Sequence, residues 1–163
     1  MSKAPILIRE IKMEDDAQVA QVIRAVLVEM GAPKVGTAYA DEALDIMTAT
    51  YAQDDRIYFV VDDGGKIIGG AGVAPLENNE GNICELQKMY FLPEARGKGL
   101  GAKMMDVCLR KAKSLGYDKC YLETLPYMID ATKLYAKSGF ENLDGPLGDT
   151  GHYSCNVWMI KSL

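Results

Sequence analysis

Arg96-Gly97-Lys98-Gly99-Leu100-Gly101 sets three glycines and two cations between an apolar run (Leu86, Met89, Tyr90, Phe91, Leu92) and a run of helical period. Glycine lets the backbone approach an anion with no Cβ in the way, and the first-turn amides of the helix after it point outward with no carbonyl to bind. Arg96 and Lys98 add charge. The stretch therefore suits a phosphate. Gly97, Gly99 and Ala102 also satisfy the G-x-G-x-x-[GA] pattern of dinucleotide sites, but Pro93-Glu94-Ala95-Arg96 separates the strand from the first glycine. Only one strand-helix-strand unit surrounds the loop, and no G-x-x-x-x-G-K-[ST] phosphate loop is present. His152 is the single histidine, in a glycine-containing loop, and a titrating imidazole makes it a candidate for chemistry.

The elements that must carry this loop are legible from periodicity. Pro5 to Arg9 reads as a strand. Val19, Val22, Ile23, Val26, Leu27 and Met30 then recur at helical spacing until Gly31 and Pro33, with Asp15 and Asp16 at the positive end of the helix dipole. A second helix is expected from about Asp41 to Tyr51. Arg56 to Asp62, the turn Asp63-Gly64-Gly65 and Lys66 to Pro75 read as a hairpin forming the edge of a meander. Ile83 to Leu92 follows as a strand, then the glycine loop, then a helix from Leu100 to Leu115 ended by Gly116. Lys119 to Thr124 reads as a strand and Tyr127 to Lys137 as a short helix ended by Gly139. Phe140 onward and Tyr153 to Ile160 supply the last two strands, with a mobile glycine-rich loop, Gly145 to Gly151, between them.

With 163 residues, 48% hydrophobic and 25% charged, the chain fits one soluble domain spanning 1–163. No apolar run reaches a membrane span, and no signal peptide is visible, so a cytoplasmic location with no membrane partner is expected. A net charge of −5 disfavours nucleic acid, so any anion site must be local. The four cysteines, Cys84, Cys108, Cys120 and Cys155, form no Cys-x-x-Cys pair and read as reduced core thiols, with Trp158 also in the core.

Arg96-x-x-Gly99-x-Gly101, preceded by Leu92-Pro93-Glu94, resembles the coenzyme A loop of the GNAT superfamily of N-acetyltransferases. Ala131 to Phe140, with its Leu134-Tyr135-x-Lys137-x-Gly139-Phe140, resembles the second signature of that family, and the two occur in the family's order. The resemblance covers the last half of the chain by motif and the first half by element order. It implies an α+β (α/β mixed) single-domain GNAT-like fold: a mixed, mostly antiparallel sheet of about six or seven strands flanked by about four helices, in the order β-α-α-β-β-β-α-β-α-β-β. It also implies acetyl-CoA as co-substrate, no metal, and transfer to a primary amine of a small molecule or peptide. A non-catalytic acyl-CoA-binding regulatory module is the alternative. A homodimer through the C-terminal strands would follow the family.

Carried onto this chain, the resemblance gives backbone groups of Met89, Tyr90 and Phe91 to the pantetheine arm, and Arg96, Gly97, Lys98, Gly99, Leu100, Gly101 and Ala102 to the pyrophosphate. Lys103 reads as a solvated helix cation. Tyr135 becomes both a cofactor contact and the general acid for the leaving thiolate, since a phenol with pKa around 10 can protonate a thiolate whose thiol pKa is about 8.5. Glu85 becomes the candidate base. Glu123, Tyr127 and His152 are candidates for the acceptor side, with Tyr153 beside them. Met128 stands where the family often carries Asn, which makes a contact there apolar. Asp41, Glu42 and Asp45 read either as a solvated helix face or as an attraction for a cationic amine.

Overall fold

The computed structural model describes residues 5–77, 79, 81–126, 128–151 and 154–163. Strand β1 (Ile6–Glu10) leads through a 3-10 turn at Met13–Asp15 into helix α1 (Asp16–Glu29). Helix α2 is the single turn Met47–Thr50. The meander β2 (Ile57–Asp63), β3 (Lys66–Pro75) and β4 (Ile83–Phe91) precedes helix α3 (Leu100–Ser114). Strand β5 (Lys119–Thr124), helix α4 (Ile129–Lys137), β6 (Glu141–Leu143) and β7 (Val157–Ser162) complete the order expected from sequence.

The strands form one seven-stranded sheet in the order β1-β2-β3-β4-β5-β7-β6. Every neighbouring pair is antiparallel except β4 and β5. A parallel pair needs a crossover, and α3 supplies it. The β2–β3 hairpin turns on Gly64 and Gly65, both at positive φ, with the Gly65 amide donating to the Asp62 carboxylate at 2.7 Å. It is not at the sheet edge, because β1 pairs outside β2 along its whole length.

Each face of the sheet has its own core. On one face Met104, Met105, Cys108 and Ala112 of α3 meet Cys84, Leu86 and Met89 of β4 and Cys120 and Leu122 of β5. On the other, Val19, Ile23, Val26 and Leu27 of α1 pack with Leu44, Met47, Tyr51, Tyr58 and Val60. None of the helices among the described residues is long and apolar enough to cross a membrane.

Several expectations need correction. The helix expected from Asp41 to Tyr51 is a 3-10 turn (Glu42–Ile46) followed by the short α2, because Ile46 leaves helical geometry (φ −133, ψ 46). Asp16 holds the break from α1, accepting from the Thr48 amide at 3.0 Å and hydroxyl at 2.7 Å, and Arg24 pairs with Asp45. Asp15 serves less as a dipole partner than as an anchor, bound by both terminal nitrogens of Arg9 and by the Lys12 amide. The last strand starts at Val157, and Trp158 is half-buried rather than core. The 145–151 loop is tied down: the Leu147 amide donates to the Tyr121 hydroxyl (3.1 Å), and the Asp149 amide to the Glu77 carbonyl (2.8 Å).

Two glycines of β3 make room for an aromatic ring from β2. A Cβ on Gly72 would stand 2.5 Å from the Ile57 carbonyl oxygen and 2.7 Å from the Tyr58 ring, and one on Gly70 would stand 2.7 Å from the same ring. Tyr58 lies across these glycines and donates its hydroxyl to the Lys88 carbonyl at 2.8 Å. Gly72→Ala is expected to lower stability by about 1–3 kcal/mol, the usual effect of overpacking. A urea unfolding midpoint equal to that of the parent chain would show that β2 and β3 part there without cost.

Candidate functional site

Strands β4 and β5 pair only at Ile83↔Lys119, Cys84↔Cys120 and Glu85↔Tyr121. Beyond Glu85 they separate, and a cavity of about 710 Å³ opens between them. Its walls include Val26 and Leu27 of α1 on one face of the sheet and Gly99, Leu100 and Gly101 on the other, so it runs through the sheet. A β-bulge accompanies the separation. Gly70 pairs with Tyr90 and Gly72 with Gln87, which leaves one extra residue in β4, and Lys88 takes a left-handed φ of 51°. For a non-glycine residue that conformation costs about 1–2 kcal/mol, and the Tyr58 hydroxyl on the Lys88 carbonyl helps to hold it.

The loop side is built of backbone. Gly97 and Gly99 both have positive φ (75° and 74°), and open space lies where a Cβ would stand on either. Gly99 is the N-cap of the 15-residue α3, so the amides of Leu100, Gly101 and Ala102 face outward without intrahelical partners. Arg96 is committed elsewhere than expected: its guanidinium binds both oxygens of Glu29 at 2.8 and 2.7 Å and the Phe91 carbonyl at 2.9 Å. The Glu29 carboxyl is held below its ordinary pKa by that hydrogen bond, with the Arg96 charge adding to it against a small desolvation.

The opposite side is built of side chains. Because Cys84, Leu86 and Met89 enter the α3 core, Glu85, Gln87 and Tyr90 face α1 and α2, and the bulge turns Lys88 to that side too. The Tyr51 hydroxyl donates to Gln87, whose amide donates to Glu85 at 2.6 Å. Lys88 has 7% of its side-chain surface exposed and lies 3.8 Å from an Asp41 oxygen, with its ammonium 5.8 Å from the centre of the Tyr51 ring. Burial pushes the Lys88 amine down, against the charges of Asp41 and Glu85. Glu123 lines the cavity with both oxygens occupied, one accepting from Tyr121 at 2.7 Å and the other from Thr150.

Of the residues singled out from sequence, Met89, Tyr90, Phe91, Arg96, Gly97, Gly99, Leu100, Gly101, Glu123 and Tyr135 line the cavity. Lys98 and Ala102 are exposed beside it rather than in its wall, and Glu85 is buried behind the wall. Tyr127 and His152, like Tyr153, lie outside the described residues. Tyr135 is 7% exposed, and burial raises its phenol well above the ordinary tyrosine range. Among the wall residues that sequence reasoning did not assign to the site are the polar Thr37, Lys88, Thr124, Asp130 and Cys155. Gln87-Lys88, two polar residues in succession inside an apolar strand run, is the visible trace of the bulge. Cys155 is a correction: the other three cysteines are buried, whereas this one is half-buried in the cavity wall.

The model of the Acetyltransferase (GNAT) family matches residues 25–140. An uncharacterised N-acetyltransferase of Escherichia coli K12, YjgM, is 42% identical over 162 residues, covering 99% of this chain and 96% of its own. Among solved structures, a GNAT-family acetyltransferase from Staphylococcus aureus Mu50 superposes with a TM-score of 0.85 at 21% identity, over 97% of this chain and 99% of that one. A PaiA N-acetyltransferase from Thermoplasma acidophilum, solved in complex with coenzyme A, superposes at 0.73 and 20% identity, over 98% and 100% of the two chains.

Burial, and then the charges of Glu123, Glu85 and Asp41, push the Cys155 thiol up to about 12. Iodoacetamide is therefore expected to label Cys155 of the native protein slowly at pH 8 and faster as the pH rises, and to reach Cys84, Cys108 and Cys120 only after unfolding. Peptide mass mapping reads this directly, and rapid labelling at neutral pH would show a thiol that is not suppressed.

Proposed function

The chain belongs to the GNAT acetyltransferase family, and we propose that it moves an acetyl group from acetyl-CoA directly to a primary amine of a small molecule or peptide. One observation carries the reading: a single cavity joins the glycine loop at the α3 N-terminus, the unpaired length of β4 and the Tyr135 side chain. A domain spanning 1–163 carries both halves of that cavity.

The residues present fit coenzyme A. Open space at Gly97 and Gly99 and the outward amides of the first turn of α3 suit a pyrophosphate. Lys98 adds charge beside them, and Arg96 adds its own on leaving Glu29. An exposed ion pair of that kind is worth only about 0.2–1 kcal/mol, so a diphosphate can compete for the guanidinium. Backbone groups of Met89, Tyr90 and Phe91, on the part of β4 that β5 has left, are available to the pantetheine arm as an added strand would be. The Thermoplasma acidophilum neighbour, solved with coenzyme A, supports this assignment.

Acetyl-CoA supplies an activated thioester when bound. A backbone N–H in the stretch Met89 to Phe91 polarises its carbonyl, in the manner of an oxyanion hole. Tyr135 donates the proton that the leaving sulfur needs. Glu85 takes the proton lost by the amine, through water, since it stands behind the wall. Glu123 is less suited to that task, because both its oxygens already accept hydrogen bonds.

Calorimetry with coenzyme A, run beside thiol release from acetyl-CoA over a panel of primary amines, tests the reading. Tight binding with amine-dependent thiol release is expected. Binding without transfer to any amine would favour an acyl-CoA-binding regulatory module, and no binding would overturn the assignment altogether.

Tyr135→Phe is expected to lower kcat by roughly 10²-fold or more while leaving coenzyme A affinity nearly unchanged. The raised phenol stays protonated as the pH climbs, so the parent enzyme should show no loss from this group below about pH 10. Unaltered turnover in the variant across that range would remove the acid role.

A further inference from the structure

Lys88 is a basic side chain of the cavity wall to which the proposed chemistry gives no role. Its ammonium is desolvated yet forms no hydrogen bond among the described residues, since the Asp41 oxygen at 3.8 Å is too distant for one. A buried ammonium has three N–H donors, and leaving them unmade is costly. The residue nevertheless belongs to the wall of the cavity, which puts a ligand there beside it. The bulge that turns it to this side keeps a non-glycine residue at positive φ.

The surrounding charges narrow what that ligand is. Asp41 is beside Lys88, Glu85 is close enough to act on it, and Glu123 lines the same cavity. A simple cation would meet the ammonium, and a simple anion would meet Glu123 in the wall, with the charges of Asp41 and Glu85 close to Lys88. A ligand that carries both signs within a few bonds satisfies both. Val26, Leu27, Met30, Leu125 and Met128 give this side of the wall a broad apolar surface, interrupted by Thr37, Thr124 and Cys155.

We propose that the acceptor is an α-amino acid with an apolar side chain, its carboxylate bound by Lys88 and its amine directed to the carboxylate side of the cavity. This rests on the acetyltransferase reading and names the substrate class of that same site. Lys88 is then the residue that separates amino acids from plain amines.

The test compares leucine, methionine and phenylalanine with their carboxamides, using thiol release from acetyl-CoA. The amides have the more readily deprotonated amine, so reactivity alone favours them. Recognition by Lys88 predicts the reverse: kcat/KM higher for the acids by about tenfold or more, which corresponds to about 1.4 kcal/mol. Lys88→Gln should erase that preference, mainly through KM for the acids, and Lys88→Arg should restore part of it. The unfolding midpoint and coenzyme A affinity of each variant report whether it has folded, and the acid-against-amide comparison in the parent chain needs no variant.

Equal rates for acids and amides, or a Lys88→Gln effect that falls on both alike, would overturn the inference. If no amine is acetylated, calorimetry of the same amino acids against the coenzyme A-bound protein reads the same contact. Binding that Lys88→Gln abolishes would support it, and no binding of any amino acid would refute it. Failure to bind coenzyme A at all would instead sink the reading on which the inference rests.

Discussion

The parallel pairing of β4 with β5 stops after Glu85↔Tyr121, and the rest of the site depends on that stop. Backbone amides and carbonyls inside a protein need partners, so two central strands that part must be held apart and the freed groups must meet something else. The bulge at Lys88 bends β4 away. Tyr58 holds the bulge by its carbonyl, and Tyr58 can cross β3 only because Gly70 and Gly72 present no side chain to it. Glycines in a central strand would ordinarily weaken it. Here they let an aromatic ring on β2 fix the conformation of β4, two strands away in the sheet.

The charge balance follows a similar logic. For a chain of net charge −5, the polyanion proposed for the loop requires that the attraction be local. Most of it comes from the backbone: an open helix N-terminus and two left-handed glycines, whose amides no change of pH can discharge. Arg96 is held by Glu29 and the Phe91 carbonyl. That pairing keeps a cation beside the loop and ties α1 to the end of β4.

Most of the fold was legible because its signals are local. Lys66–Pro75 and Lys119–Thr124 coincide with the strands expected from sequence, and the turn at Gly64-Gly65 and the stop at Gly116 follow from residues whose backbone freedom is visible in their identity. The failures have non-local causes. Asp41 to Tyr51 has the apolar spacing of a helix, but the contacts that break it come from Asp16 and Arg24 on another element. The 145–151 loop has the composition of a free loop, yet its amides find the Tyr121 hydroxyl and the Glu77 carbonyl, neither of which its own sequence announces.

The same distinction separates the two halves of the cavity. On the proposed reading the loop half would recognise its ligand with main-chain amides, so the sequence need only provide glycines and a helix start, and those leave a motif. The opposite half is built of side chains gathered from β4, β5, the turn near Asp41 and the loop that carries Cys155. Glu85 and Lys88, three positions apart, face one way only because an extra residue interrupts the strand's alternation. No spacing rule predicts that, since the bulge depends on Tyr58 and on glycines about 16 residues upstream in the chain. On the proposed reading, a donor held by backbone can be read from a few adjacent residues. An acceptor side built of side chains becomes readable only once the fold has gathered them, and its selectivity could change by single side chains while the loop half stays the same.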